Sequence, residues 1–190
     1  MKIAFFETRK RREREKRMQK EAIAVILDVG RSMGEEANRG KLQSSLDAIG
    51  LLVRDKLAGK PGSVLMSLIF MGTKASSNQL HGDGSGGEDD ASSGYQHISV
   101  IYDIAPPSLE LSKFVSESTE QELLDGVGGS SADFIDALVV AIDLLAVRAN
   151  DKAYSKKVFL FTDAGSPADF QLLDPIITNF SDRECSLNVV

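Results

Sequence analysis

Residues 22–34 read AIAVILDVGRSMG, and the fold turns on them. From Ala22 to Leu27 the run is apolar without a break and rich in Ile and Val. That is the pattern of a strand buried on both faces. It ends at Asp28, followed by Gly30 and a short polar stretch around Ser32. Open sheets of parallel strands place ligands in the crevice outside the carboxyl ends of the strands, and Asp28 falls there. Whether that carboxylate does chemistry or only holds loops together is the question the rest of the chain must answer.

Outward from this strand, residues 41–57 carry Leu42, Leu46, Ile49, Leu52, Val53 and Leu57 at three- and four-residue spacing. The spacing predicts a helix with one apolar face, stopped by Gly59, Pro61 and Gly62. Residues 63–70, SVLMSLIF, predict a second buried strand, and residues 97–102 an edge strand. Pro106 and Pro107 break the chain before a short helix at 109–116. Gly126, Gly128 and Gly129 predict a turn, and Ser130 or Ser131 caps a helix over about 132–149. Phe134, Ile135, Leu138, Val139, Ile142 and Leu145 give that helix a broad apolar face. A buried strand at 157–162 ends at Asp163; a helix at 169–180 and a strand at 186–190 follow. Strands alternating with helices define an α/β class. The expected architecture is a doubly wound, mostly parallel sheet with helices on both faces and one antiparallel edge strand. The last strand runs to the final residue, which suggests a piece of a longer protein.

The 190 residues suffice for one domain with a full core, and 42% apolar with 26% charged residues is a globular balance. The net charge of −6 divides unevenly: residues 1–20 carry +6 and the remainder −12. Residues 8–20, TRKRREREKRMQK, have no apolar stripe to pin them to a core, so residues 1–20 are expected to be a flexible arm and residues 21–190 the folded domain. Arg9 to Arg12 also fit a nuclear-import or nucleic-acid patch. The acidic remainder has no evident footprint for binding the nucleic-acid backbone. Residues 71–94 are rich in Gly and Ser and include Asp83, Glu88, Asp89 and Asp90; they predict an exposed loop, without the ordered spacing of a calcium-binding EF-hand.

Several chemistries find no support. Cys185 is the only cysteine, which excludes an intramolecular disulfide and a cysteine metal cluster; it reads as a small, partly buried side chain. His81 and His97 are far apart and lack metal-ligand spacing. No stretch approaches a membrane span, and residues 1–20 lack the pattern of a signal peptide. Asp28 as a phosphoryl acceptor would need a second carboxylate two residues on, where the chain has Gly30. No Ser or Cys has a supporting base nearby in sequence.

Asp28 and Asp163 each end a buried strand, and the Gly-Gly-Ser-Ser turn at 128–131 opens a helix between them. A doubly wound sheet can bring these loops to one edge, where carboxylates and hydroxyls would suit Mg2+. Here the sequence resembles the von Willebrand factor A domain. Its metal-ion-dependent adhesion site has Asp-x-Ser-x-Ser after the first strand, a Thr in a middle loop and a late Asp. This chain reads Asp28-Val29-Gly30-Arg31-Ser32, with Gly30 in place of the first hydroxyl; Ser130 and Ser131 stand in the middle loop and Asp163 in FLFTDAG. The expectation is a degenerate site at Asp28, Gly30, Ser32, Ser130, Ser131 and Asp163, with no cofactor beyond weak Mg2+.

The resemblance narrows with DVGxxM after the first strand, ADFIDAL at 132–138, FTD at 161–163 and Cys185-Ser186-Leu187. These are similar to the N-terminal domain of the larger subunit of the Ku heterodimer, over roughly residues 21–190. The resemblance implies a non-catalytic interaction domain of a nuclear complex that acts in non-homologous end joining and telomere maintenance. It implies pairing with the smaller Ku subunit and docking of repair factors through short peptide motifs. DNA ends would be held only by the full-length heterodimer. The other class of function is a metal-dependent ligand-binding A domain with an adhesion-type Mg2+ site.

Overall fold

The computed structural model describes residues 20–60, 62–81, 94–149 and 154–190. Most of the charged arm, Pro61 and the acidic part of the 71–94 segment lie outside the described residues.

Five strands form one sheet: β1 (Glu21–Asp28), β2 (Val64–Met71), β3 (Ile98–Ala105), β4 (Ser155–Phe161) and β5 (Cys185–Val189), in the order β3-β2-β1-β4-β5. β1 is central and parallel to β2 and β4, β4 is parallel to β5, and β3 runs antiparallel on β2 as an edge. Alternate residues of β1 serve two separate cores. Ile23, Val25 and Leu27 pack with Leu42, Leu46, Ile49 and Val53 of α1 (Lys41–Leu57) and Leu111 and Val115 of α2 (Leu109–Glu117). Ala22, Ala24 and Ile26 face Ile135, Leu138 and Ala141 of α4 (Phe134–Arg148) and Ile176 and Phe180 of α5 (Leu173–Asp182). Every side chain from Ala22 to Leu27 is at most 1% exposed, which accounts for the unbroken apolar run.

The sequence reading missed a helix, α3 (Glu120–Gly126). Thr119 accepts from the backbone N–H of Glu122, whose side chain in turn accepts from the backbone N–H of Thr119. The cap of α4 is Asp133, whose side chain accepts from Ile135 N, and neither Ser130 nor Ser131. Ser130 is instead held by its backbone: its N–H donates to Gly72 O and its carbonyl accepts from Arg31 N. The helix expected at 169–180 begins as a 3-10 turn, Phe170–Leu172, capped by Asp169, before α5 proper.

The described part of the 71–94 segment is tied to the sheet rather than loose. Asn78 Nδ2 donates to the carbonyls of Tyr95 and Ile98, and Ser77 forms a bridge to Ser99 on the open side of β3. At the amino-terminal ends of the parallel strands, Glu21 joins two elements: Lys56 of α1 reaches it at 2.8 Å and Lys157 of β4 at 2.5 Å.

Candidate functional site at the sheet rim

The carboxyl ends of β1 and β4 place Asp28 and Asp163 on the same rim, as the sequence predicted. Asp28 is fully buried. Its Oδ1 accepts from Gly30 N at 2.8 Å and its Oδ2 from the Thr162 hydroxyl at 2.7 Å. Burial is the strongest influence on its carboxyl and pushes the pKa above the ordinary range. The hydrogen bonds from Thr162 and Gly30 pull it down, and the charge of Asp163 pushes it up again.

Asp163 is half-buried and fully engaged. Oδ1 accepts from Ser32 Oγ at 3.0 Å and from Gly165 N at 2.9 Å, while Oδ2 accepts from Asn38 Nδ2. Asn38 also donates to Ser32 O. It lies in a 3-10 turn, Glu36–Asn38, between β1 and α1. Sequence reasoning missed Asn38, because nothing local to it announces a partner 125 positions away.

Glycines let three loops close on one another. Gly72 has φ +80, and a Cβ there would lie 2.4 Å from Gly30 Cα. A Cβ at Gly30 would meet Asp28 Oδ1 at 2.8 Å and Ser130 O at 3.0 Å. One at Gly128 would meet Val29 O at 2.1 Å. Backbone hydrogen bonds from Val29 to Met71, from Gly129 to Val29 and from Ser130 to Gly72 knit these loops together. Ser131 and Arg31 are exposed, so the structure joins Asp28, Gly30, Ser32, Asp163 and the backbone of Ser130 but not the Ser131 side chain.

Gly30 stands where the adhesion pattern has its first hydroxyl. Each oxygen of both carboxylates accepts a protein hydrogen bond, and a side chain at position 30 would crowd Asp28 Oδ1 and Ser130 O. Among the described residues no cluster of three or more His, Cys, Asp or Glu is arranged to hold a metal. The rim has the chemistry of a structural clasp, in which donors from the loops after β1 and β4 hydrogen-bond two acids.

Beside it lies a groove of about 600 Å3 lined by Met33, Arg39, Lys41, Ser44, Ser45 and Asp163, among others. The N–H of Gly40, at the start of α1, points to Glu120 Oε1 at 3.4 Å. A carboxylate of the chain itself thus sits where a helix start could take an anion. The other residues singled out in sequence are structural. His97 Nδ1 contacts Thr73 O and His81 Nδ1 contacts Gly94 O, both in loops. Cys185 is partly buried, and burial pushes its thiol up to about 11.

A central parallel sheet with one antiparallel edge, two helical layers and acids at the ends of β1 and β4 defines an A-type α/β domain. The VWA domain of SpRpn10 shares the fold, with TM-score 0.53 and 15% identity over 90% of this chain and 87% of that one. So does proximal thread matrix protein 1 of the mussel byssus, with TM-score 0.56 and 13% identity over 90% of this chain and 37% of that one.

Residues 22–186 match the Ku70/Ku80 N-terminal alpha/beta domain, and the chain belongs to that family. It is 33% identical over 178 residues to X-ray repair cross-complementing protein 5 of Dictyostelium discoideum, covering 90% of this chain and 20% of that protein. It is 33% identical over 149 residues to the protein named ATP-dependent DNA helicase 2 subunit KU80 of Oryza sativa subsp. japonica, covering 78% and 18%. With X-ray repair cross-complementing protein 5 of Xenopus laevis it shares 28% over 174 residues, covering 90% and 22%. The likeness is thus to Ku80, as the sequence motifs implied. The chain spans about a fifth of the length of these relatives.

Proposed function

We propose that this domain is a non-catalytic interaction module of a Ku80-like subunit, acting in a nuclear complex that joins broken DNA ends. In this reading it contributes to pairing with the smaller, Ku70-like subunit and receives short peptide motifs of repair factors on its surface. DNA ends are held by the full-length heterodimer. The reading is supported by the match to the Ku family and by the rim, where Asp28 and Asp163 accept hydrogen bonds from Gly30, Thr162, Ser32, Asn38 and Gly165 and so hold loops together.

The test is co-expression of the full-length protein with its Ku70-like partner, read by light scattering after gel filtration. An equimolar complex is expected, and a full-length protein that elutes alone would overturn the reading. Charge reversal of surface residues on this domain should then lower retention of repair-factor peptides by the complex without dissociating it.

A further inference from the structure

Between β4 and the 3-10 turn at Phe170–Leu172 the chain reads Asp163-Ala164-Gly165-Ser166-Pro167-Ala168-Asp169, without helix or strand. Of the 5 prolines in the sequence, only Pro167 follows a Ser or Thr; the others follow Lys60, Ala105, Pro106 and Asp174. Ala164, Gly165 and Pro167 are exposed, and Ser166 is partly so.

The hydrogen bonds that shape this loop lie at its flanks. Ala164 N–H donates to the Thr162 hydroxyl, Gly165 N–H to Asp163 Oδ1 and Asp169 N–H to Asp133 Oδ2. The Ser166 hydroxyl takes part in none of these. Among the described residues, the backbone from Asp163 to Ala168 exchanges no hydrogen bond with other backbone groups. Ala164 holds φ +55, a left-handed conformation that a residue with a Cβ leaves readily. Residues 164–168 can therefore straighten without breaking a strand or a helix. The bonds from Ser32 and Asn38 to Asp163 involve none of them and stay in place.

Pro167 adds a chemical signal to this geometry. Its ring fixes φ and removes the backbone N–H, and it biases Ser166 toward extended backbone. An enzyme that takes its substrate as an extended chain can lay such a proline on an apolar wall and leave no donor unpaired.

We propose that Ser166 is a phosphorylation site for a proline-directed serine/threonine kinase. The Ser166 Oγ attacks the γ-phosphorus of a nucleoside triphosphate that the kinase holds with Mg2+. An Oγ–P bond forms and the bond from that phosphorus to the bridging β,γ oxygen breaks. The nucleoside diphosphate leaves, and the hydroxyl proton passes to a carboxylate of the kinase. Asp169 stands three positions after Ser166, so the kinase belongs to the class that asks for no basic residue there.

The inner side of the loop is occupied. A Cβ at Gly165 would meet Ser32 Cβ at 2.6 Å and Ser32 Oγ at 2.7 Å. The phosphate, with a charge of about −1.5 to −2 at neutral pH, is accordingly taken on the solvent side. Asp163 and Asp169 flank it in sequence, and the exposed Arg31 next to Ser32 supplies a cation on the adjoining loop. The modification marks the rim and leaves the domain folded. It does not rest on subunit pairing or on peptide docking.

The test uses the 190-residue chain, an activated kinase of the mitogen-activated class, ATP and Mg2+, with the phosphate mapped by tandem mass spectrometry. One phosphate is expected, at Ser166. Ser166→Ala should abolish it. Pro167→Ala keeps the hydroxyl and should slow the transfer at least about tenfold. Circular dichroism melts confirm that both variants are folded. Melts of wild type before and after phosphorylation should agree within about 2 °C. The proposal is overturned if the chain takes up no phosphate, if only the heat-unfolded chain takes it up, or if the phosphate maps to other residues alone. Pro167→Ala labelled at the wild-type rate would overturn the proline-directed assignment, and a larger fall in melting temperature would overturn the placement of the phosphate on the solvent side.

Discussion

Thr162 donates its hydroxyl to Asp28 Oδ2 at 2.7 Å, across 134 positions of sequence. The bond ties the end of β4 to the end of β1 and leaves the most buried acid of the rim with a donor on each oxygen. Thr162→Val keeps the shape and removes the donor. It should cost about 1–3 kcal/mol, the usual penalty for stripping a partner from a buried acceptor. Urea unfolding of the variant checks this.

Asp28 and Glu21 should titrate with opposite effects. The carboxyl of Asp28 lies above its ordinary 3.8 in the folded state, chiefly through burial. The folded protein therefore takes up a proton before the unfolded chain does, and Asp28 adds stability as pH falls through its folded pKa toward 3.8. In Asp28→Asn that gain on acidification should vanish, as unfolding curves over a pH series will show.

Glu21 is pushed up by burial, but hydrogen bonds from Lys157 and Lys56 outweigh this and hold it below 4.5. Its contribution is present above 4.5 and is lost as pH falls through the folded pKa. Glu21→Gln should cost about 1–3 kcal/mol at neutral pH, as expected for hydrogen bonds to charged groups. The difference from wild type should close in acid.

Gly72→Ala tests the close approach of loops at the rim. The new Cβ would meet Gly30 Cα at 2.4 Å, at a backbone φ of +80 that side chains rarely adopt. A loss of about 2–4 kcal/mol is expected from overpacking and strain together. An unchanged melting temperature would show that the loops are not in contact in solution.

Leu138→Ala probes the core between β1 and α4, where Leu138 is 2% exposed. The expected cost is about 2–5 kcal/mol. A change under about 1 kcal/mol would mean the site collapses around the smaller side chain.

Calorimetric titration of the chain with Mg2+ should give no saturable heat at micromolar metal, for wild type and for Gly30→Ser alike. Saturable binding by either would return the domain to the metal-dependent class. The expectation follows from the filled carboxylate oxygens and from the 2.8 Å approach of a Cβ at position 30 to Asp28 Oδ1.

Long, periodic elements were legible in the sequence. The strand at Glu21–Asp28 and the helix at Lys41–Leu57 occur with the bounds their apolar patterns gave, because each buries a full face. α3 was overlooked although Thr119 and Glu122 spelled out a capping box; a helix of 7 residues with Leu123 as its buried residue offers little periodicity. Ser130 and Ser131 looked like caps because of residue type, but the pull of Gly72 O and Arg31 N on the backbone of Ser130 is non-local. At the site, Asp28 and Asp163 could be named from position at strand ends, and Ser32 from the resemblance to the Asp-x-Ser-x-Ser pattern. Asn38 and Thr162 could not, since their roles depend on which loops a closed rim brings together.

The close approach of Gly72 to Gly30 limits where this domain can vary. A side chain at position 72 would fall 2.4 Å from Gly30 Cα, and one at position 30 would crowd Asp28 Oδ1 and the Ser130 carbonyl. Substitution is therefore costly where these loops meet, while exposed positions away from the rim tolerate exchange and leave the outer surface open to diversify.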